Sequence, residues 1–256
     1  MAKSPKSANK IKAGPVQPKA PVAKGSTKTK ATSSFPVIGI GASAGGLTAV
    51  TQLLKNLPSR IGMAVVIIQH LDPKHGSLTA EILSRISPMP VAEVKDGTRI
   101  QPDQVYVIPP NNNLRLSKGV LKLSPRLEGR QHLPIDVFFQ SLAAEKKDEA
   151  IGVVLSGIAS DGTLGLKAIK SEQGLTFAQD PKTAQYNGMP RSAILSGAVD
   201  IVEGPPGIAE EIVRISRLHP FEQGVASAAA ESRELDSTGY LRKILTMLRN
   251  LSLIHI

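Results

Sequence analysis

The sequence predicts an α/β fold: a doubly wound, mostly parallel sheet with helices on both faces and an antiparallel hairpin insertion. Three observations point there. Met63 to Gln69 (MAVVIIQ) and Ile151 to Leu155 (IGVVL) are continuous apolar runs, as strands buried on both faces require. Stretches with apolar residues at helical spacing alternate with these runs, which implies crossover connections between parallel strands. In the middle of the chain, Asn111 to Ser124 (NNNLRLSKGVLKLS) alternates apolar and polar residues around Lys118-Gly119, the mark of a hairpin.

The elements follow in order. Phe35 to Ile40 reads as a short buried strand, and the next stretch as a helix with Leu47, Val50, Leu53 and Leu54 on one side. After MAVVIIQ come a helix over 76–87 and short strands over 91–94 and 104–108. The hairpin is followed by a helix over 134–147, with Ile135, Phe138, Phe139 and Leu142 on one face. IGVVL then leads into a helix over 163–172, a strand over 175–178 and a short helix after Pro190. A strand over 198–202 and a helix over 208–218 close the domain, which spans 35–219.

The flanks differ in composition. Residues 1–34 hold eight lysines and no acid, leaving 23 basic against 21 acidic residues elsewhere, so +8 of the net charge of +10 belongs to a tail. That tail has almost no large apolar residue to offset its ordering entropy and reads as disordered. No aromatic interleaves its lysines, so base stacking and specific nucleic-acid binding are not indicated. Residues 220–237 read as a linker, and 238–256 as an amphipathic helix that is a possible start of a truncated second domain. With no cysteine, disulfides and thiolate metal sites are excluded. The five histidines are scattered, with His75, His132, His219 and His255 in loops or near termini. They give no metal pattern, and neither metal nor cofactor is expected. There is no apolar signal region and no membrane span, so the cytoplasm is the expected compartment.

The chemistry concentrates at the ends of three strands. Gly41 to Gly45 (GASAG) fits G-x-S-x-G, in which a serine sits on a sharp strand-to-helix turn with its hydroxyl exposed. Ser43 is therefore a candidate nucleophile. The same letters fit a dinucleotide fingerprint through Gly39, Gly41 and Ala44, but the second strand ends in Gln69-His70 rather than in the acid that a ribose requires. His70 directly follows the strand MAVVIIQ, and Asp161 follows IGVVL through Ser156 to Ser160. In parallel sheets ligands bind beyond the strands' carboxyl ends. A hydroxyl, an imidazole and a carboxylate at one sheet edge are the parts of a nucleophilic triad. Each has a plainer reading: His70 as a hydrogen-bonded strand end, and Asp161 as a cap for the next helix. Asp136 and Asp96 are weaker rivals for the acid.

These residues resemble the catalytic domain of chemotaxis protein-glutamate methylesterases. The likeness runs from Val37 to Leu218 and rests on IGASAGG (Ile40 to Gly46), IIQH (Ile67 to His70), LSGIASDGTLGL (Leu155 to Leu166) and NGMPRSAI (Asn187 to Ile194). The resemblance implies a triad on Ser43, His70 and Asp161, and hydrolysis of glutamate γ-methyl esters on the signalling helices of chemoreceptors. It also implies deamidation of particular receptor glutamines. Ala44, Ile158, Met189 and Arg191 become candidates for oxyanion or substrate-lining positions. Two departures stand out: Ala44 where many relatives have threonine, and Ala159 where a glycine is usual, a strained substitution if φ there is positive. The family's receiver domain does not fit in the 34-residue tail. The stretch around Tyr240 to Arg249 resembles the start of the receptor methyltransferase that some relatives carry downstream. A catalytically silent module docking receptors or a kinase complex is the alternative of another class.

Overall fold

The computed structural model describes residues 35–69, 76–126 and 132–218. The tail, the linker, the stretch 238–256 and His70, His75, His219 and His255 lie outside these residues. Ten strands and six α-helices are present among the described residues. Seven strands form one sheet in the order β10-β9-β8-β1-β2-β5-β3, and every pairing in it is parallel. At its centre lie β1 (Val37–Ala42), β2 (Ala64–Gln69) and β8 (Ala150–Val154). β5 (Val105–Val107) and β3 (Val91–Glu93) continue one side, and β9 (Leu175–Gln179) and β10 (Ile201–Glu203) the other. The chain winds both ways from β1, which makes the junction of β1 and β8 a topological switch point.

The central strands are apolar on both faces because both are covered. On one side Ile38, Ile40, Val65 and Ile67 join Val50, Leu53 and Leu54 of α1 (Gly46–Lys55), Leu83 of α2 (Gly76–Ser84) and Ile208 and Ile212 of α6 (Pro205–Leu218). On the other, Val66, Ile68 and Val154 meet Phe138, Phe139 and Leu142 of α3 (Pro134–Lys146) and Leu166 and Ile169 of α4 (Thr163–Ser171). Gly39 and Gly41 face α3. A Cβ on Gly39 would lie 2.8 Å from the Phe139 ring, and one on Gly41 would lie 2.4 Å from Ile135 Cγ2. These glycines admit a helix, which accounts for them without a nucleotide.

The insertion is a sheet of its own, ordered β4-β7-β6. β6 (Asn112–Ser117) and β7 (Val120–Pro125) pair antiparallel through Lys118 and Gly119, whose φ of 53° and 70° are those of a type I′ turn. The two-residue β4 (Thr98–Arg99) is an addition to the expected elements, too short to show a period. Several boundaries move. The first strand runs over Val37–Ala42 rather than 35–40, and α2 stops at Ser84 rather than at 87. The helix expected after Pro190 is α5 (Gly188–Leu195), with Pro190 inside its first turn, where a missing N–H leaves no bond unmade. The last helix likewise begins early, at Pro205. The final strand lies at 201–203, not 198–202, because its register pairs Ile201 with Phe177.

Candidate active site

Ser43 is the first residue past β1, half-buried, and its backbone continues the β1–β8 ladder. Leu155 N–H donates to Gly41 O at 2.9 Å, and Ser43 N–H donates to Ser156 O at 2.9 Å. The two strand ends thus leave the sheet side by side. A tight turn then starts α1: Gly46 N–H donates to Ser43 O at 2.8 Å, and Gly45 takes φ 69° and ψ 0°. A Cβ on Gly45 would come within 2.8 Å of Ser156 Oγ and 2.7 Å of Gln185 Oε1, so the turn admits only glycine there.

The β8 side is built as closely. Gly157 faces Ser43, and a Cβ there would lie 3.0 Å from Ser43 Cβ and 2.1 Å from Met189 Sδ. Gly157 also forms a parallel bridge with Asn187, and Met189 N–H donates to Gly157 O at 3.0 Å. Met189 is fully buried behind Gly157, whereas Ile158 is 62% exposed in the loop beside it. Arg191 is exposed on α5. Ala44 is half-buried at the turn, and among the described residues neither its N–H nor that of Gly45 has an acceptor. Such unpaired amides at a helix N-terminus suit an oxyanion.

Asp161 is 3% exposed and, though it stands just ahead of α4, takes the amides that open α3. Its carboxylate accepts N–H groups from Ile135 at 3.1 Å, Asp136 at 3.0 Å and Gly162 at 2.9 Å, the first two opening α3. Gly165 in the first turn of α4 donates instead to Asp136 Oδ1, at 2.7 Å. Burial pushes the Asp136 carboxyl above the ordinary aspartate range, against backbone hydrogen bonds that lower it, and the neighbouring Asp161 charge raises it further. Asp96 serves the small sheet, accepting from Leu123 N–H at 2.9 Å. His132 is half-buried just ahead of α3.

β2 ends at Gln69, in register with Ala42, the residue before Ser43. His70 is next in the sequence and lies outside the described residues. Among the described residues, the buried Gln69 Oε1 has no hydrogen-bond partner. Sequence patterns did not single out Ser156 or Gln179. Ser156 N–H donates to Gln179 Oε1 at 2.9 Å, and both residues are buried. The available signal was positional, since Ser156 directly follows IGVVL as Ser43 directly follows the first strand. Among the described residues no cluster of His, Asp or Glu is placed to hold a metal ion, and no helix is long and apolar enough to cross a membrane.

A family model described as CheB methylesterase matches residues 38–212. A Burkholderia pseudomallei (strain 1710b) protein named protein-glutamate methylesterase/protein-glutamine glutaminase 2 is 41% identical over 182 residues, covering 70% of this chain and 53% of that protein. A Leptospira interrogans (serogroup Icterohaemorrhagiae serovar copenhageni) protein named putative protein-glutamate methylesterase/protein-glutamine glutaminase is 36% identical over 187 residues, 72% of this chain and 96% of its own. The solved Thermotoga maritima CheB methylesterase catalytic domain aligns with a TM-score of 0.66 at 28% identity, covering 71% of this chain and 99% of that one. The chain spans about half the length of the Burkholderia relatives.

Proposed function

This chain belongs to the CheB methylesterase family, and from that premise we propose that it hydrolyses glutamate γ-methyl esters on chemoreceptors, working in the cytoplasm. The observation that carries the reading is the placement of Ser43 at the switch point, against the β8 end and ahead of two unbonded turn amides. Ser43 Oγ attacks the ester carbonyl while His70 takes the hydroxyl proton. The negative charge that develops on the carbonyl oxygen is met by turn amides, a type of contact worth about 3 kcal/mol per donor. Collapse of the tetrahedral intermediate expels methoxide, which leaves as methanol with the proton from His70. Water, deprotonated by His70, then cleaves the acyl-enzyme to free Ser43 and a glutamate carboxylate. Asp161, its carboxylate fixed by backbone donors, orients His70 and stabilises the imidazolium. The same acyl-enzyme forms from a glutamine side chain with loss of ammonia, which is the glutaminase half of the relatives' names.

In this reading Ile158 and Arg191, both exposed near the strand ends, border the substrate, and Met189 backs the site from within. The stretch around Tyr240 to Arg249 opens a methyltransferase domain in the parent chain, which sequencing of the transcript would reveal. The test of the activity is methanol release from methylated receptor. Wild type releases methanol, and Ser43→Ala and His70→Ala each reduce it by about 10³-fold or more. Undiminished release by Ser43→Ala would remove this reading.

A further inference from the structure

Ser156 is 1% exposed and its hydroxyl is engaged on both sides. Its Oγ accepts the Tyr186 N–H at 3.0 Å and donates to the Ala44 carbonyl at 2.8 Å, with the Tyr186 carbonyl at 3.3 Å as a second acceptor. The Ala44 carbonyl belongs to the peptide whose N–H is that of Gly45. In a planar trans peptide the two groups point in opposite directions, so fixing the carbonyl fixes the amide. The preceding peptide is fixed in the same manner, because Ser43 O accepts the Gly46 N–H at 2.8 Å and leaves the Ala44 N–H opposed to it. Both free amides of the turn are thus aimed by bonds made to carbonyls. One of those bonds comes from the turn itself. The other comes from a side chain on the neighbouring strand end.

We infer that Ser156 is a positioning residue, whose hydroxyl clamps the Ala44–Gly45 peptide so that the turn amides meet the oxyanion. The inference rests on the ester-hydrolase reading of the same site. A hydroxyl is suited to the task because it accepts and donates at once, which neither alanine nor an acceptor-only group can do. Gln179, holding the Ser156 backbone N–H, and Tyr186, feeding its Oγ, keep the clamp in place. Because the clamp acts on groups that bind developing charge, its loss falls on turnover and not on substrate affinity.

The experiment compares full-chain wild type, Ser156→Ala, Ser156→Thr and Ser43→Ala in methanol release from methylated receptor, with kcat and KM resolved. Ser156→Ala is expected to lower kcat by about 10- to 100-fold with KM within about twofold, as sub-ångström misplacement of a donor does. Ser156→Thr, which keeps the hydroxyl, is expected to return kcat to within about fivefold of wild type. Should Ser156→Ala fail to fold, Ser156→Cys replaces it, since a thiol donates weakly and is expected to fall between Thr and Ala. An unchanged kcat in Ser156→Ala or Ser156→Cys, a loss carried mainly by KM, or a Thr variant as slow as Ala would overturn the inference while Ser43→Ala stays inactive. If wild type does not turn over, or Ser43→Ala does, the hydrolase reading falls and the inference with it.

Discussion

Asp161 and Asp136 exchange helix caps. Asp161 stands just before α4 yet receives the opening amides of α3, and Asp136, in the first turn of α3, receives the Gly165 amide of α4. Two buried carboxyl groups therefore tie the starts of two helices together on the face of the sheet that α3 and α4 cover. The arrangement sets a conflict at Asp136: its carboxylate accepts an amide at a helix N-terminus, but burial, and after it the neighbouring Asp161 charge, disfavours its ionisation.

That conflict gives a pH signature. The folded-state pKa of Asp136 is raised, so between the unfolded value of about 4 and the raised value the native protein holds more protons than the unfolded chain. Stability from this group is complete below the unfolded pKa and is lost as pH rises through the folded pKa. Asp136→Asn keeps an oxygen acceptor for Gly165 and cannot ionise. Its melting temperature relative to wild type is expected to rise across that interval and then level off, as thermal scans from pH 3 to 7 would read. A difference independent of pH would show that the Asp136 carboxyl is not held above the ordinary aspartate range in the folded protein.

Asp161 separates capping from chemistry. Asp161→Ala strands the amides of Ile135, Asp136 and Gly162 in a buried place, at roughly 1–3 kcal/mol for each donor left without a partner. A loss of about 3 kcal/mol or more in urea denaturation is expected. Asp161→Asn retains a carbonyl acceptor and is expected to lose much less stability, yet to release methanol at least about 10²-fold more slowly, because a neutral amide does not stabilise an imidazolium.

How far the sequence revealed this can be told from the same residues. Runs such as MAVVIIQ were legible because burial on both faces leaves no room for polar letters. The bounds of the edge strand β10 were not, since they are set by pairing with Phe177 rather than by its own apolar pattern. Beside its reading as a triad carboxylate, Asp161 offered a plainer one as a cap for its own helix, as most aspartates before Gly-Thr do. Only the packing of α3 on α4 brings Asp136 close enough to take that task over. Ser156 lies inside LSGIASDGTLGL yet was not marked out, because a serine that clamps a neighbouring peptide reads like any small residue at a strand end. The Ala159 expectation, by contrast, needed only the family pattern, and the backbone answers it.

Ala159 sits at φ 68°, where a Cβ costs about 1–2 kcal/mol. Ala159→Gly relieves that strain and gives back part of it through the greater freedom of the unfolded chain, about 0.4–1 kcal/mol. A net gain of about 0.5–1 kcal/mol in urea denaturation is expected, with methanol release no lower than wild type. A loss of stability would mean that the methyl group makes compensating contacts in the loop.

Gly157 tests the closeness of the two strand ends. Gly157→Ala places a methyl 2.1 Å from Met189 Sδ and 3.0 Å from Ser43 Cβ, so something must shift. Overpacking of this kind costs about 1–3 kcal/mol, and Ser43, the proposed nucleophile, lies on one of the two sides that can yield. Methanol release by Gly157→Ala is expected to drop at least about 10-fold, since displacing a reacting group by an ångström costs up to about 10²-fold. Pairing it with Met189→Ala removes the worse clash and leaves the contact with Ser43. The double variant is expected to be more stable than additivity of the two single variants allows, while its turnover stays low. Recovery of both together would assign the defect to Met189 packing alone and leave Ser43 unconstrained by its neighbour.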